Sequence, residues 1–487
     1  MKSITRPAAG LLLLAGLLLV PWPEAAVAPA PHDGGAFAWR SDSLWVSLEL
    51  QYRTAREIGC TTLDSTIGEG LDRIRHLIDD LAGGPQVSPE APQLDSLETA
   101  WFAVTPLVAA CPDHQAEYLA QYRALRTGIK QQSRHWDVTT RPARDRLYRS
   151  LYGSRAALEE VLLQHPDRMT PLLLGVDAPS VAPSAMVEGV RIHSGDMLVS
   201  RGGAPTSALI ARGNDYPGNF SHVALVHVDS NGTASTIEAH IEVGVAIASA
   251  EQYLRDKKLR IMVLRPRADL AALVADPMLP HRAATAAIER VRAGHIPYDF
   301  AMDYRDASRL FCSEVASSAY HDFGVTLWTG LSTLSAEGLR RWLASFGVSH
   351  FETQEPSDLE YDPQLVVVAE WHGPETLRDD HIDNAVIDAM LEGAERGDRL
   401  SYPWYQLPAG RLLKAWSWIR VQFGGTGPVP EGMTAASALR NKAFTARQKA
   451  LAAQVRSAAD SFAMQEGYPA PYWRLLDFAR EAVASQF

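Results

Sequence analysis

The chain has 487 residues, of which 46% are hydrophobic, and a formal net charge of −11 at pH 7. This length is enough for two to four domains with sizeable cores. The negative charge argues against non-specific nucleic-acid binding, which requires a basic surface, but it leaves small substrates open.

The first residues have the pattern of a targeting segment. A short basic region precedes an uncharged apolar run at 8–20, and Ala26-Val27-Ala28 offers a small-x-small cleavage pattern. The run is short for a transmembrane helix, which needs about 20 residues. A proline directly after the cleavage pattern disfavours cleavage, so an uncleaved anchor stays open. We interpret 1–30 as a signal peptide or N-terminal anchor and expect an exported protein, periplasmic or associated with the cell envelope.

Residues 41–176 are predicted to form a helical bundle. Apolar residues recur at three-and-four spacing, as in Ile67, Leu71, Ile74 and Ile78, which is typical of an amphipathic helix. Short connections between such runs favour antiparallel packing.

Two of the three cysteines, Cys60 and Cys111, lie in this helical region, and the third is Cys312. Disulfides persist in exported proteins, so a disulfide between Cys60 and Cys111 is one interpretation and three free thiols are the other. Pairing would leave Cys312 as an odd thiol, which marks a candidate for reactivity.

Between 185 and 375 the sequence changes to short runs, mostly rich in β-branched residues and bounded by turn residues, which is typical of strands. Asp229-Ser230-Asn231-Gly232 predicts a hairpin turn. The predicted strands are 196–200, 223–228, 235–239, 259–264 and 365–370, with helices at 283–293 and 312–322. Strands, then helices, then a strand indicate an α+β domain.

The remainder, 376–487, is mostly helical again. Its segments 401–405 and 412–419 are rich in Trp and Tyr, with Arg411, Lys414 and Arg420 nearby. This composition is found in helices at a membrane interface. Docking against the neighbouring domain explains it as well and is the interpretation we favour, while peripheral contact with a membrane or envelope stays open.

Cys312 stands where a polar stretch at 303–306 gives way to an apolar helix. A cysteine at a helix N-terminus faces unpaired N–H groups and the positive end of the helix dipole. Both favour the thiolate, which is the nucleophilic form. The alternative is a small buried hydrophobe, because free cysteine is commonly found in cores.

His222 directly precedes the predicted strand at 223–228 and can therefore reach a cleft. Hairpin pairing brings Ile237-Glu238-Ala239-His240 beside it, because adjacent strands lie about 4.8 Å apart. Glu238 and His240 are two residues apart, so they face the same side of the strand. Either one could hold the second nitrogen of the His222 imidazole, as the third member of a catalytic triad does.

These segments together resemble the permuted NlpC-type papain-like cysteine hydrolases, in particular the YiiX/YebB-like branch. The resemblance covers about 190–372. It is carried by five motifs in order: Gly195-Asp196-Met197-Leu198-Val199, Ser221-His222-Val223-Ala224-Leu225-Val226, Ile237-Glu238-Ala239 with Gly244-Val245, Tyr298-Asp299-Phe300, and Phe311-Cys312-Ser313-Glu314. It implies an α+β fold in which a permuted papain-like domain at 185–375, with a small antiparallel β-barrel or sheet and a nucleophile helix, is flanked by helical regions.

The resemblance implies Cys312 as nucleophile and His222 as base. Glu238 is the expected third polar residue, because a carboxylate stabilises an imidazolium better than a second histidine does, and His240 is the alternative. Tyr298 resembles the tyrosine that precedes the nucleophile helix, and it either lines the oxyanion site or is a packed aromatic. No cofactor is expected. No metal is expected either, because the candidate ligands fit no standard zinc spacing: His193, His222, His227, His240 and Cys312.

The resulting hypothesis is an exported thiol hydrolase that cleaves an amide bond in a peptide, a cell-wall peptide or an acyl-amide through a Cys-His-Glu triad. An acyltransferase with the same thiol chemistry is an alternative, because a bound amine or alcohol can replace water. A non-catalytic binding module with a vestigial triad is the alternative from a different class.

Overall fold

The computed structural model of the chain describes Gly16, residues 35–37, 42–423 and 425–486. Apart from Gly16, the predicted targeting segment at 1–30 lies outside the described residues. Within them, no helix combines the length and the apolar character needed to cross a bilayer. The described residues form a mixed α+β structure, as the sequence predicts, with an antiparallel sheet and helical regions before and after it.

The N-terminal side of the chain is helical. Helices α1 to α6 are Asp42–Ile58, Cys60–Gly83, Pro92–Ala110, Gln115–Gln132, Arg141–Leu147 and Gly153–Gln164. The apolar stripe of α2, which contains Ile67, Leu71, Ile74 and Ile78, is buried, as its spacing predicts. Gly59 separates α1 from α2, because its φ of 86° is a left-handed conformation that favours glycine.

A disulfide joins Cys60, the first residue of α2, to Cys111, which directly follows α3. The two residues are 51 positions apart in sequence. A cross-link over such a loop restricts the unfolded chain and typically contributes about 2–4 kcal/mol to stability. The remaining cysteine, Cys312, is a free thiol.

A seven-stranded sheet lies at the centre of the chain. Strands β1 to β11 are Leu172–Leu174, Ser184–Val187, Val190–His193, Met197–Gly202, His222–Val228, Ala234–His240, Gly244–Ser249, Lys258–Pro266, Ser332–Thr333, Glu352–Thr353 and Leu365–Trp371. The order in the main sheet is β1-β11-β8-β4-β5-β6-β7, and all neighbours in it are antiparallel. Two small sheets pair β2 with β3 and β9 with β10.

Strand β1 falls inside the segment predicted as a helical bundle, 41–176, yet it forms one edge of the main sheet. Leu173 lies opposite Glu370 of β11. Three residues are too few to display the alternation by which a strand is recognised, so the sequence pattern does not reveal it.

The hairpin between β5 and β6 turns where the sequence predicts it. The N–H of Asp229 donates to the carbonyl of Thr233 at 3.1 Å, and Gly232 has a φ of 80°. This turn fixes the register in which Ala224 pairs with Glu238. Because His222 is two residues from Ala224, His222 and Glu238 face the same side of the sheet.

Helices α7 to α13 are Pro205–Arg212, Ala250–Arg255, Ala271–Ala275, Leu279–Ala293, Cys312–His321, Glu337–Phe346 and Asp358–Tyr361. Helix α11, which begins at Cys312, contacts β5. Val315 and Ala316 of α11 share one buried core with Val223 and Leu225 of β5. This packing fixes the N-terminus of α11 relative to the strand that begins at His222.

The C-terminal helices α14 to α17 are Pro374–Glu395, Leu407–Gln422, Ala435–Glu466 and Tyr472–Ala484. Ile382 and Val386 of α14 form a second buried core with Leu451 and Val455 of α16, and Leu209 of α7 belongs to the same core. The C-terminal helices therefore pack directly against the central domain.

The structure does not support the favoured interpretation of the aromatic segments at 401–405 and 412–419, namely docking against the neighbouring domain. Trp404, Tyr405, Trp416 and Trp418 are exposed rather than docked against a neighbouring domain. The buried residues of α15 are Leu407, Gly410 and Ser417.

Buried ion pairs connect the helical regions to the sheet. Arg260 on β8 lies 2.5 Å from Glu159 of α6 and 2.5 Å from Asp380 of α14, and all three side chains are buried. Glu159 also lies 2.9 Å from His381 of α14. Burial alone would raise the pKa of Glu159, but its pairing with Arg260 and its hydrogen bond with His381 hold that pKa well below its usual range. Glu159 is therefore ionised inside the protein.

Candidate active site

The thiol of Cys312 lies against the first residues of β5. Its Sγ is 3.8 Å from the carbonyl oxygen of Ser221, and the backbone N–H of Val223 hydrogen-bonds to the same sulfur. Residues 221 and 223 flank His222. The sulfur therefore contacts the peptide groups on both sides of His222, and the structure brings these two predicted residues together.

Helix α11 begins at Cys312 itself. Oε2 of Glu314 accepts a hydrogen bond of 3.0 Å from the backbone N–H of Phe311, which caps the start of the helix. Cys312 is only 5% exposed, so a reactant must approach it across the neighbouring loops.

His222 and Glu238 form a short polar contact at the site. His222 Nε2 lies 2.6 Å from Glu238 Oε2. The hydroxyl of Thr236 donates to the other carboxylate oxygen at 3.1 Å. Burial would raise the pKa of Glu238, but hydrogen bonds with His222 and His240 hold it well below its usual range. Glu238 is therefore ionised and accepts a hydrogen bond from Nε2.

His240, the alternative third residue, lies near the same carboxylate oxygen. Its Nε2 is 3.4 Å from Glu238 Oε2, and its ring centroid is 5.6 Å from that of His222. The hydrogen bond with Glu238 raises the pKa of His240, whereas burial lowers the pKa of His222. Of the two predicted candidates, Glu238 is the one that contacts His222 directly.

Cys312 is a neutral thiol in the resting site, whereas its position at a helix N-terminus predicts a thiolate. Burial raises the pKa of Cys312 to about 12, although the N–H of Val223 acts in the opposite direction. Burial also keeps His222 in its neutral form. The resting pair is therefore a thiol beside a neutral imidazole, and the thiol proton must move when the substrate reacts.

The rate at which iodoacetamide alkylates Cys312 should consequently rise about tenfold per pH unit from neutral pH to about pH 10, without reaching a plateau. The thiolate fraction grows in this way at any pH below the raised pKa. The adduct can be counted by intact-mass spectrometry, since Cys312 is the free thiol and the other two cysteines are paired. A plateau near neutral pH would instead reveal a preformed thiolate–imidazolium pair.

Tyr298 lies close to the nucleophile. Residues 297–299 hydrogen-bond to Leu310 just before α11, with Leu310 N donating to Pro297 O and Asp299 N donating to Leu310 O. Burial raises the pKa of Tyr298 well above its usual range, and negative charge on Cys312 adds to the increase. Its ring also packs edge-on against Phe300 at 5.0 Å. The backbone bonds to Leu310 hold Tyr298 beside the segment that leads into α11, while its ring belongs to an aromatic contact.

Glu355 is a residue that sequence reasoning missed. It is 4% exposed, and burial followed by the nearby charge of Asp358 raises its pKa well above the usual range. Its negative charge would in turn raise the pKa of Cys312. These effects favour a protonated carboxyl beside the resting thiol.

The loop that carries Glu355 connects the two halves of the site. The hydroxyl of Ser317 on α11 donates to the side-chain oxygen of Gln354, and Ser357 Oγ accepts from the N–H of Phe220 at 3.0 Å. Glu355 lies in the short connection between β10 and α13 and belongs to neither element. A buried acid on an irregular loop leaves no spacing signal in the sequence.

The remaining predicted histidines contact other partners. His193 Nδ1 lies 2.9 Å from the carbonyl of Ala182, and the ring of His227 stacks on that of His281 at 5.4 Å. A cavity of about 610 Å³ lies elsewhere, between the N-terminal helices and α17, and is lined by residues such as Tyr152 and Tyr472. Because neither His222 nor Cys312 borders this cavity, we assign it no part in the chemistry.

Residues 191–369 match the sequence model of a family described as permuted papain-like amidase enzyme, YaeF/YiiX, C92 family. The match covers more than a third of the chain and includes His222, Glu238, Tyr298, Cys312 and Glu355. It confirms the predicted family resemblance and the prediction of a cysteine hydrolase. No curated protein matches the sequence of this chain.

Proposed function

Because residues 191–369 of this chain match the model of the permuted papain-like amidases, we propose that Cys312, His222 and Glu238 form the catalytic triad of an amide hydrolase. Cys312 is the nucleophile, His222 the general base and Glu238 the residue that orients the imidazole. The substrate is an amide bond in a peptide, a cell-wall peptide or an acyl-amide.

Two observations carry the proposal: His222 is hydrogen-bonded to Glu238, and the Cys312 sulfur contacts the backbone on both sides of His222. Because Nε2 of His222 is bonded to the ionised Glu238, Nε2 carries the proton of the neutral ring. Nδ1 is left as the basic nitrogen, and the sulfur lies against the peptide groups on both sides of the same residue. This tautomer is the one that a general base needs.

The reaction then proceeds in two stages. His222 Nδ1 takes the proton of Cys312 while the sulfur attacks the carbonyl carbon, and the resulting oxyanion is stabilised by the N–H of Cys312 and the hydroxyl of Tyr298. His222 gives its proton to the nitrogen of the leaving amine as the C–N bond breaks, which leaves a thioester on Cys312. Water then attacks the thioester, His222 receives the proton of that water and returns it to the sulfur, and a carboxylic acid is released.

Exchange of Glu238 for glutamine should lower kcat/KM by about 10²–10⁴-fold. The amide keeps the shape of the side chain but removes the charge that stabilises the imidazolium, and it allows the wrong tautomer. The measurement is hydrolysis of a panel of peptidyl and fatty-acyl aminomethylcoumarin amides.

The matched variant is His240→Gln, which changes the other predicted candidate for the third position. It should cost much less activity, because His240 lies 3.4 Å from the carboxylate and does not bond His222. An equal or greater loss in His240→Gln would assign the orienting role to His240. Release of a transferred acyl product when an amine is added would favour acyl transfer over hydrolysis.

We further propose that the protein is exported. The basic and apolar pattern at 1–30 supports this, and so does the disulfide between Cys60 and Cys111, since disulfides persist outside the cytosol. A fusion of the full chain to a reporter that is active only outside the cytosol should be active. A fusion that is active only in the cytosol would contradict the proposal.

A further inference from the structure

Helix α15, Leu407–Gln422, presents its more apolar side to the outside of the protein. Leu412, Trp416, Ile419 and Phe423 are between 41% and 86% exposed. The spacing of Leu412, Trp416 and Ile419 places them on one stripe, because an α-helix has 3.6 residues per turn, and Phe423 directly follows the helix. We call these four residues the outer stripe.

The opposite side of α15 is fastened to the protein by polar contacts. Lys414 Nζ donates to the carbonyls of Pro430 and Glu431 at 2.8 and 2.5 Å, and Ser417 Oγ accepts from Val429 N at 3.0 Å. Rolling the helix to bury the outer stripe would break these bonds and leave buried polar groups without partners. The outward orientation is therefore set by the packing of the inner side.

The exposed apolar surface extends beyond the stripe. Other exposed side chains lie on the same helix or directly before it: Trp404, Tyr405, Leu413 and Trp418. Single exposed hydrophobic residues are normal, whereas a contiguous group of this size marks an interaction site with a protein or a membrane.

The charge of α15 indicates which kind of partner it fits. The helix contains Arg411, Lys414 and Arg420 and no acidic residue, although the whole chain carries a net charge of −11. At 100° per residue, Arg411 and Arg420 fall on the two sides of the outer stripe. Trp and Tyr on an apolar face with basic residues at its borders are typical of helices that lie in a bilayer interface.

We propose that α15 docks on the surface of a lipid bilayer that contains anionic headgroups, with the outer stripe in the boundary between headgroups and acyl chains. The helix lies parallel to the bilayer and does not cross it. Arg411 and Arg420, at the borders of the outer stripe, approach the headgroups, while the inner side, with Lys414, remains packed on the protein.

The docking surface is connected to the loop beside the nucleophile. Glu431, whose carbonyl binds Lys414, lies 2.8 Å from His295, and the neighbouring Gly432 packs so closely on Phe300 that a Cβ would lie 2.1 Å from that ring. Phe300 is the ring that contacts Tyr298. If the proposed function holds, membrane docking places the entrance to the site near the bilayer.

The test is co-sedimentation of the purified full-length protein with vesicles of phosphatidylcholine, with or without phosphatidylglycerol. The wild type is expected to bind the anionic vesicles, and added salt should weaken the binding because it screens the headgroup attraction. A variant with serine at all four positions of the outer stripe should bind at least tenfold more weakly. Arg420→Glu should weaken binding to the anionic vesicles only.

The matched control replaces four other exposed apolar residues by serine: Leu50, Val181, Met186 and Met464. The control, the stripe variant and the wild type all contain residues 1–40, so any contribution of that segment to vesicle binding is the same in all of them. The proposal is overturned if the wild type binds no vesicles, or if the control loses as much binding as the stripe variant. It is also overturned if the stripe variant loses only self-association in gel filtration and binds vesicles like the wild type. Thermal unfolding checks that each variant is folded, and amide hydrolysis measured without vesicles tests the proposed function separately.

Discussion

Alanine in place of Cys312 should reduce amide hydrolysis by a factor on the order of 10⁴–10⁶, down to the background of water attack. The sulfur is the atom that forms the covalent bond in the proposed reaction, and Ser221, the nearest hydroxyl in sequence to His222, already bonds other groups. The measurement is the rate of amine release from the aminomethylcoumarin amides, at concentrations that show whether kcat or KM changes.

Loss of activity must be separated from loss of fold. The alanine variant should unfold close to the wild-type temperature, because only one small buried atom is removed. Ser318→Ala, a change of similar size on the same helix, serves as the matched control and should keep its activity. A Cys312→Ala protein that hydrolyses the amides at the wild-type rate would exclude Cys312 as the nucleophile.

Exchange of Arg260 for alanine should lower the free energy of unfolding by about 3–5 kcal/mol. The guanidinium contacts Glu159 and Asp380, and all three side chains are buried. Its removal leaves Glu159 without a guanidinium partner and Asp380 with Arg201 alone, and the cost of a buried charge that loses its partner exceeds that of a lost neutral contact. Urea unfolding followed by circular dichroism measures the change.

Arg255→Ala is the matched control for this variant. Arg255 pairs with Glu251 on α8, but both side chains are more than two-thirds exposed, so its loss should change stability by at most about 1 kcal/mol. Similar losses in the two variants would contradict the view that the buried pairs hold the helical regions on the sheet. Unchanged stability in Arg260→Ala would contradict it as well.

Much of the geometry of the candidate site could be predicted because it depends on local rules. The hairpin at Asp229 sets the register of β5 and β6, and the register places Glu238 on the face of His222. A strand period of two residues is enough to derive this placement. The start of α11 at Cys312 follows in the same way from the change between polar and apolar residues.

Other features depend on tertiary packing and have no sequence signal. Glu355 reaches the site on an irregular loop, and β1 joins the sheet with three residues. The neutral state of the resting thiol follows from burial at the meeting of α11, β5 and this loop, which the helix dipole alone does not reveal. The packing contacts of its inner side determine which side of α15 faces outward. The amphipathic pattern of the sequence does not specify this orientation.

The choice between Glu238 and His240 as the third residue could be predicted only in part. Their spacing predicts that both face His222, but it does not rank them. The diagonal contact across the hairpin determines which one reaches the imidazole, and it depends on side-chain conformations that only the folded structure provides. Glu238 contacts both His222 and His240. A role for one of the two candidates, Glu238 or His240, therefore does not exclude a role for the other.

Covalent capture of an acyl group tests the central claim most directly. Mixing the protein with p-nitrophenyl acetate and analysing it by intact-mass and peptide mass spectrometry should reveal one acetyl group on Cys312, which disappears with time as water resolves the thioester. The His222→Asn variant should acquire this group far more slowly. Acetylation at another residue only, or equal rates with and without His222, would contradict a thiol hydrolase built on these two side chains.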